Sequence, residues 1–184
     1  MTTDPYFIDF EASSLSLYSY PIEVAWSDGA GTLESYLICP DGIADWTDWN
    51  KNAARVHGIT RRELSRDGRD PQWVCRRLAE VLTGRTVYSD NPDYDALWLA
   101  RLFEACRRPC PPLDLCHIDT LLTATYCPRP EERVSGLRDL VRIKQTARAR
   151  AQGVHRAAWD VQYLVSLWRM VRSRTQTSPL ACVK

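Results

Sequence analysis

The sequence has no Cys-x-x-Cys pair and only three histidines, so the ligand spacing of a structural zinc site is missing. No apolar run reaches the roughly 20 residues a membrane span needs, which argues against a membrane partner. The first residues, Met1 to Phe10, lack a basic segment and carry Asp4 and Asp9. They do not resemble a secretory signal, so a cytoplasmic protein is expected. There is no internal repeat. Net charge is only +1, which by itself points to no partner. The seven cysteines are odd in number and irregularly spaced, and Pro109, Pro111 and Pro112 crowd the closest group, Cys106, Cys110 and Cys116. Reduced, mostly buried thiols are expected.

What is present suits one globular domain. The chain has 184 residues, with 45% hydrophobic and 26% charged. Charge is unevenly spread: residues 101–184 hold 15 Lys/Arg against 7 Asp/Glu, and residues 1–100 hold 9 against 16. An acidic half beside a basic half suits a site for divalent metals and a phosphate backbone. Tyr6 to Glu11, Tyr20 to Ser27 and Leu33 to Cys39 have strand patterns, with Gly29 and Gly31 marking a hairpin between the last two. Pro40 to Asn50 is expected as a loop. Pro71 to Leu82 has helical spacing, Thr86 to Ser89 is a fourth strand, and Asn91-Pro92 opens a helix through Ala105 with Asn91 as its cap. Leu113 to Ile118 is a fifth strand. Helices follow from Asp119, near Ser135 to Ile143, and from His155 to Arg172. These elements predict an α/β chain with an RNase H-like three-layer fold, a five-stranded mixed sheet flanked by helices. Residues 1–172 form the expected domain and 173–184 a polar, flexible tail.

Carboxylates carry the chemistry. Asp9 and Glu11 lie two apart on a strand, so both point to one face, about 6.6 Å apart along the chain. Such a pair is costly unless solvated or neutralised by a cation. Asp95 falls in the first turn of a helix, where the dipole favours a carboxylate, and Asp93 fits that reading equally well. Asp160 interrupts the apolar stripe Ala157, Val161, Leu164, Trp168 and Val171, and a carboxylate there needs an arginine or a metal. His155 is five residues earlier, about 140° away if both were helical. The two converge only if His155 lies on the approach to the helix, a bend that Gly153 would permit. Four carboxylates without a Cys/His cluster favour two Mg²⁺ or Mn²⁺ ions, and a neutral imidazole nearby suits a general base.

Three motifs carry a resemblance: Phe7-Ile8-Asp9-Phe10-Glu11, Asn91-Pro92-Asp93-Tyr94-Asp95, and His155-Arg156-Ala157-Ala158-Trp159-Asp160. In this order they resemble the DEDDh exonuclease superfamily, which includes the polymerase III proofreading subunit, exonuclease X and ribonuclease T. The third fits the pattern H-x-A-x-x-D. The Tyr branch would place Tyr where this chain has Arg156. Val56-His57-Gly58-Ile59-Thr60, Ile118-Asp119-Thr120-Leu121 and Ser135-Gly136-Leu137 through Leu140 resemble weaker family segments. The resemblance implies a two-metal-ion 3′→5′ exonuclease acting on 3′ ends of single-stranded DNA or RNA and releasing nucleoside 5′-monophosphates. It implies Asp9, Glu11, Asp95 and Asp160 as metal ligands, with His155 as general base. It implies Ala12, Ser13 and Leu15 under the terminal nucleotide, Leu15 as an apolar wedge, and His57 and Asn91 as pocket residues. Some relatives are dimers, so a homodimer is left open. Ala12-Ser13-Ser14 stands where relatives often have Thr-Thr-Gly, and Asp90 stands where they often have His. Two alternatives remain: a nucleic-acid-binding domain on the same fold with weak catalysis, and an RNase H-type endonuclease. Trp46, Trp49 and Trp73 are candidates for base stacking against a packing role. Arg138, Arg142, Lys144, Arg148 and Arg150 are candidates for phosphate contacts.

Overall fold

A computed structural model describes residues 4–127, 133–150 and 155–177. Five strands form one sheet: β1 (Tyr6–Ala12), β2 (Pro21–Ser27), β3 (Leu33–Leu37), β4 (Thr86–Ser89) and β5 (Asp114–His117), in the order β3-β2-β1-β4-β5. The β1–β2 and β2–β3 pairs are antiparallel, and the β1–β4 and β4–β5 pairs are parallel. The expected mixed sheet is therefore present. Its first three strands form a meander, and its last two come back through helical crossovers, as parallel pairing requires.

Helices cover both faces. One layer holds α3 (Pro71–Leu82) and α4 (Pro92–Ala105), packed on Ile8, Phe10, Val24 and Trp26. The other holds α5 (Ile118–Tyr126), α6 (Arg133–Arg150) and α7 (Ala157–Thr177), packed on Phe7 and Ala25. The boundaries of α3 and β4 match expectation. α6 extends past Ile143. α7 begins two residues after His155 and takes in Ser173–Thr177, where a frayed tail was expected. Residues 178–184, with Cys182, lie outside the described residues. Of the cysteines described, Cys75, Cys106 and Cys127 are buried, Cys39 and Cys116 are partly covered, and Cys110 is exposed. No helix among the described residues is long and apolar enough to cross a membrane.

Two short helices, α1 (Lys51–His57) and α2 (Arg61–Asp67), were not anticipated. Their start and stop signals are local. The Asn50 side chain caps α1, and Gly58 ends it at φ 71. Thr60 caps α2 by accepting from the Glu63 N–H at 3.1 Å, with Glu63 at the third helical position. His57-Gly58-Ile59-Thr60 is thus a helix stop followed by a helix start, pinned by fully buried Ile59.

Gly68 ends α2 where the chain meets the sheet edge. Arg69 pairs with Ile38, its N–H donating to the Leu37 carbonyl at 2.8 Å and its carbonyl accepting from the Cys39 N–H at 2.9 Å. A Cβ on Gly68 would come within 2.7 Å of the Cys39 nitrogen and 2.9 Å of its Cα. Backbone cannot step aside as a side chain can. Gly68→Ala should therefore destabilise the fold by about 1–3 kcal/mol, checked by urea unfolding. A parental midpoint would mean that this edge is not held as described.

Candidate metal and active site

Alternation along β1 sends Ile8, Phe10 and Ala12 to the α3–α4 core and Phe7 to the α7 core. Asp9 and Glu11 follow Phe7 at even spacing and take the α7 face. The register sets Ala25 opposite Asp9 and Glu23 opposite Glu11. Asp160 comes from the first turn of α7. One carboxylate oxygen each from Asp9, Glu11 and Asp160 lies within 4.8 Å of the others. Asp95 stands outside that triad. It is buried in the first turn of α4, where its carboxylate accepts from the Ser89 hydroxyl. Ser89 Oγ in turn accepts from the Asn91 N–H at 2.9 Å. Asn91 precedes α4 as expected, but its side chain makes no cap hydrogen bond. Asp93 is exposed, which separates it from Asp95.

Burial and mutual repulsion raise the proton affinity of the whole set. Glu11 is pushed up to about 8, first by burial, then by Asp160 and Glu23, with Arg156 opposing. Asp95 is pushed up to about 7 by burial, against its hydrogen bond from Ser89. Asp9 is raised well above the usual carboxylate range by burial, then by Asp95, Asp160, Asp90 and Glu11. Asp160 is raised by burial, against the Arg148 guanidinium. These groups cannot all ionise cheaply unless a cation neutralises them. Closely spaced hard oxygen donors fit Mg²⁺ or Mn²⁺. Asp90, noted in the sequence only as a departure from the family pattern, contributes to the repulsion on Asp9, Asp95 and Asp160.

Glu23 escaped the sequence reading. It is 3% exposed in a strand whose seven residues are all buried. Its carboxylate accepts from Arg156 Nε at 2.9 Å and Nη2 at 2.8 Å, and from the Ala157 N–H at 3.1 Å. One acid thus pairs an arginine bidentately and caps the N-terminus of α7. Without Arg156 it would be a lone buried charge, a loss of about 3–5 kcal/mol. The signal was legible: a single carboxylate inside Ile22-Glu23-Val24-Ala25.

His155 is exposed and lies at a bend two residues before α7, so the helical 140° separation from Asp160 does not apply. Its charge lowers the Asp160 pKa, a smaller effect than burial or Arg148. Gly153 lies outside the described residues.

A cleft of 340 Å³ adjoins the triad, lined by Glu11, Ala12, Ser14, Leu15, Asn50, Asn52, Ala53, Val56, His57 and Trp98. Ala12, Leu15 and His57 are thus together on its wall. Ser13 and Asn91 are not among the lining residues. Ser13 is buried, and its Oγ accepts from the Tyr20 N–H at 3.1 Å. Asn91 is exposed at the start of α4. The loop carrying Leu15 is tied at its base by Asp48, which accepts from Ser14 and, at 3.2 Å, from Ser16. Leu15 on the cleft wall is 69% exposed, and Leu17 and Tyr18 after it are each 79% exposed. His57 accepts from the Ile59 N–H at Nδ1, 3.0 Å, so its neutral ring carries the proton on Nε2. Burial lowers its pKa, and buried Nε2 has no partner. The three candidate stacking tryptophans pack against neighbours: in the loop, Trp46 stacks on Tyr20 and Trp49 meets His57 edge-on, and on α3, Trp73 meets Tyr36 edge-on.

The raised carboxylates make the metal-free fold sensitive to alkali. Glu11 ionises near 4.5 when solvated and near 8 in the fold, so between those values the folded state holds the extra proton. Its contribution is fully present below the lower value and is lost as pH rises through the upper. In EDTA, Tm should fall between about pH 4.5 and pH 8, with about 2–4 °C for each kcal/mol lost. Glu11→Gln should flatten that fall. A variant with the parent's slope would remove Glu11 from the account.

No family model matches the sequence, and no curated protein matches it. Solved structures do. A zinc-bound E. coli exonuclease I–single-stranded DNA complex superposes with TM-score 0.64 at 15% identity, over 96% of this chain and 42% of that one. Exonuclease I from Methylocaldum szegediense gives 0.63 at 20% identity, over 94% and 41%. E. coli exonuclease I with a dT13 oligonucleotide gives 0.65 at 14% identity, over 94% and 42%. The chain spans well under half the length of these structures, and within that span it has the fold of exonuclease I.

Proposed function

We propose that this chain is a two-metal-ion 3′→5′ exonuclease that hydrolyses phosphodiester bonds at the 3′ end of single-stranded nucleic acid and releases nucleoside 5′-monophosphates. The observation that carries the reading is the triad Asp9, Glu11 and Asp160, whose oxygens lie within 4.8 Å of one another. These three, with Asp95, would hold Mg²⁺ or Mn²⁺. Bound divalent ions supply charge stabilisation for the attacking and leaving oxygens. His155, exposed on the approach to α7, accepts the proton of the attacking water at a ring nitrogen. The cleft holds the terminal nucleotide. Its apolar wall, Ala12, Val56 and Trp98, covers the base and sugar, and Leu15 wedges against the penultimate base. His57, held neutral by burial, completes the wall of the cleft. Ser13 acts indirectly, its Oγ accepting from the Tyr20 N–H at the base of the loop that carries Leu15, and Asn91 acts through Ser89, to whose Oγ its N–H donates. The single-strand preference draws on the exonuclease I complexes, which contain single-stranded DNA.

Matched 5′-labelled DNA and RNA strands test this directly. With Mg²⁺ or Mn²⁺ they should shorten stepwise, retaining the label, and stay intact in EDTA or with Asp160→Ala. Early release of the label refutes the polarity. Cutting of a circular strand refutes the need for an end and favours an endonuclease. His155→Ala should slow hydrolysis by about 10²–10⁴-fold while strand binding in Ca²⁺ stays parental. A variant of near-parental rate would assign the proton transfer to another group.

A further inference from the structure

Among the described residues, the cation paired with the triad is Arg148, whose Nη1 lies 3.3 Å from Asp160 Oδ1. This pair differs from the Arg156–Glu23 pair on the same side of the sheet. It has one long contact rather than two short ones, and the arginine is 54% exposed rather than 32%. Such a pair is weak and exchangeable. The guanidinium also lies over the Tyr163 ring, 5.3 Å from its centroid. Tyr163 follows Asp160 by three residues on α7, so Asp160 and Tyr163 together hold the guanidinium at the rim of the triad. Lys144, one turn earlier on α6, is occupied differently, at 2.8 Å from Asp119. Exposed Arg138 and Arg142 lie on the same helix.

A divalent ion on Asp160 would remove most of the charge that holds Arg148. The freed guanidinium would then face a site that contains phosphate, and its planar fork matches phosphate oxygens bidentately. Resting on the exonuclease reading above, we infer that Arg148 is a phosphate-binding residue held in reserve by Asp160. It neutralises Asp160 while divalent ions are absent, and moves to the strand's backbone when they bind. The exchange couples metal loading to strand capture: the strand gains a cationic contact only at a loaded site.

Two equilibrium measurements on Arg148→Gln test it, with the parent alongside. The side chain is largely exposed, so the variant is expected to fold. Mn²⁺ binding without nucleic acid should tighten severalfold, because no ion pair has to break. Binding of a labelled dT oligonucleotide in Ca²⁺ should weaken by about tenfold, and its log–log salt slope should drop by about 0.7, the loss of one phosphate contact on a single strand. In EDTA, parent and variant should bind the strand alike. Arg148→Lys should restore the slope. Unchanged Mn²⁺ affinity together with an unchanged slope in Ca²⁺ overturns the role of Arg148, even if the parent degrades strands normally. A parent that degrades no strand overturns the exonuclease reading, and this inference with it.

Discussion

Repulsion among crowded, half-buried carboxylates is the constraint around which this molecule is arranged. Asp9, Glu11 and Asp160 share one patch where β1 meets α7, and Asp95 adds to the charge felt by Asp9. A metal-free fold keeps such a cluster by holding protons on it, and Glu11, raised to about 8, does so at neutral pH. That is a poor arrangement for stability and a good one for binding hard cations. The surrounding structure limits the strain. Small Ala25 stands opposite Asp9, Ser89 donates to Asp95, and Arg148 and Arg156 bring positive charge to the rim.

Glu23 links this cluster to the fold. It lies beside Glu11 on the neighbouring strand and adds to the repulsion on it, which Arg156 offsets only in part. Its pair with Arg156 ties β2 to the start of α7. The same contact fixes the residues on either side of Arg156: exposed His155 before it, and the first turn carrying Asp160 after it. Positional accuracy in the site therefore comes from a buried ion pair on the sheet, while the proposed base remains on irregular chain free to face solvent. Exonuclease I structures share this fold over nearly all of the chain despite 14–20% identity. A packed framework tolerates wide changes in sequence so long as volume and patterning are kept.

Much of this was legible in the residues. Apolar and aromatic content gave β1 and β2, alternation gave β3, and Asn91-Pro92 marked the start of α4. Asp160 on an apolar stripe announced a half-buried acid with a partner, and Arg148 is that partner. Other features depend on contacts that no local pattern records. α1 and α2 are each seven residues long, too short for periodicity to show, although Asn50, Gly58 and Thr60 carried their caps. Ser13 looked available to a ligand, but its hydroxyl is taken by Tyr20 across a loop. Trp46, Trp49 and Trp73 sit in or beside a polar stretch, yet each finds an aromatic neighbour from another segment. Glu23 and Arg156 are 133 residues apart, and only the fold makes them a pair.

The central claim is that the carboxylate cluster is a binding site for divalent cations. Its most direct measurement is Mn²⁺ binding at equilibrium near pH 8, followed by electron paramagnetic resonance, for the parent and for Asp9→Asn. The account predicts saturable binding of two ions by the parent, with loss of at least one of them in the variant. Absence of saturable binding to the parent, or binding that Asp9→Asn leaves untouched, would contradict it.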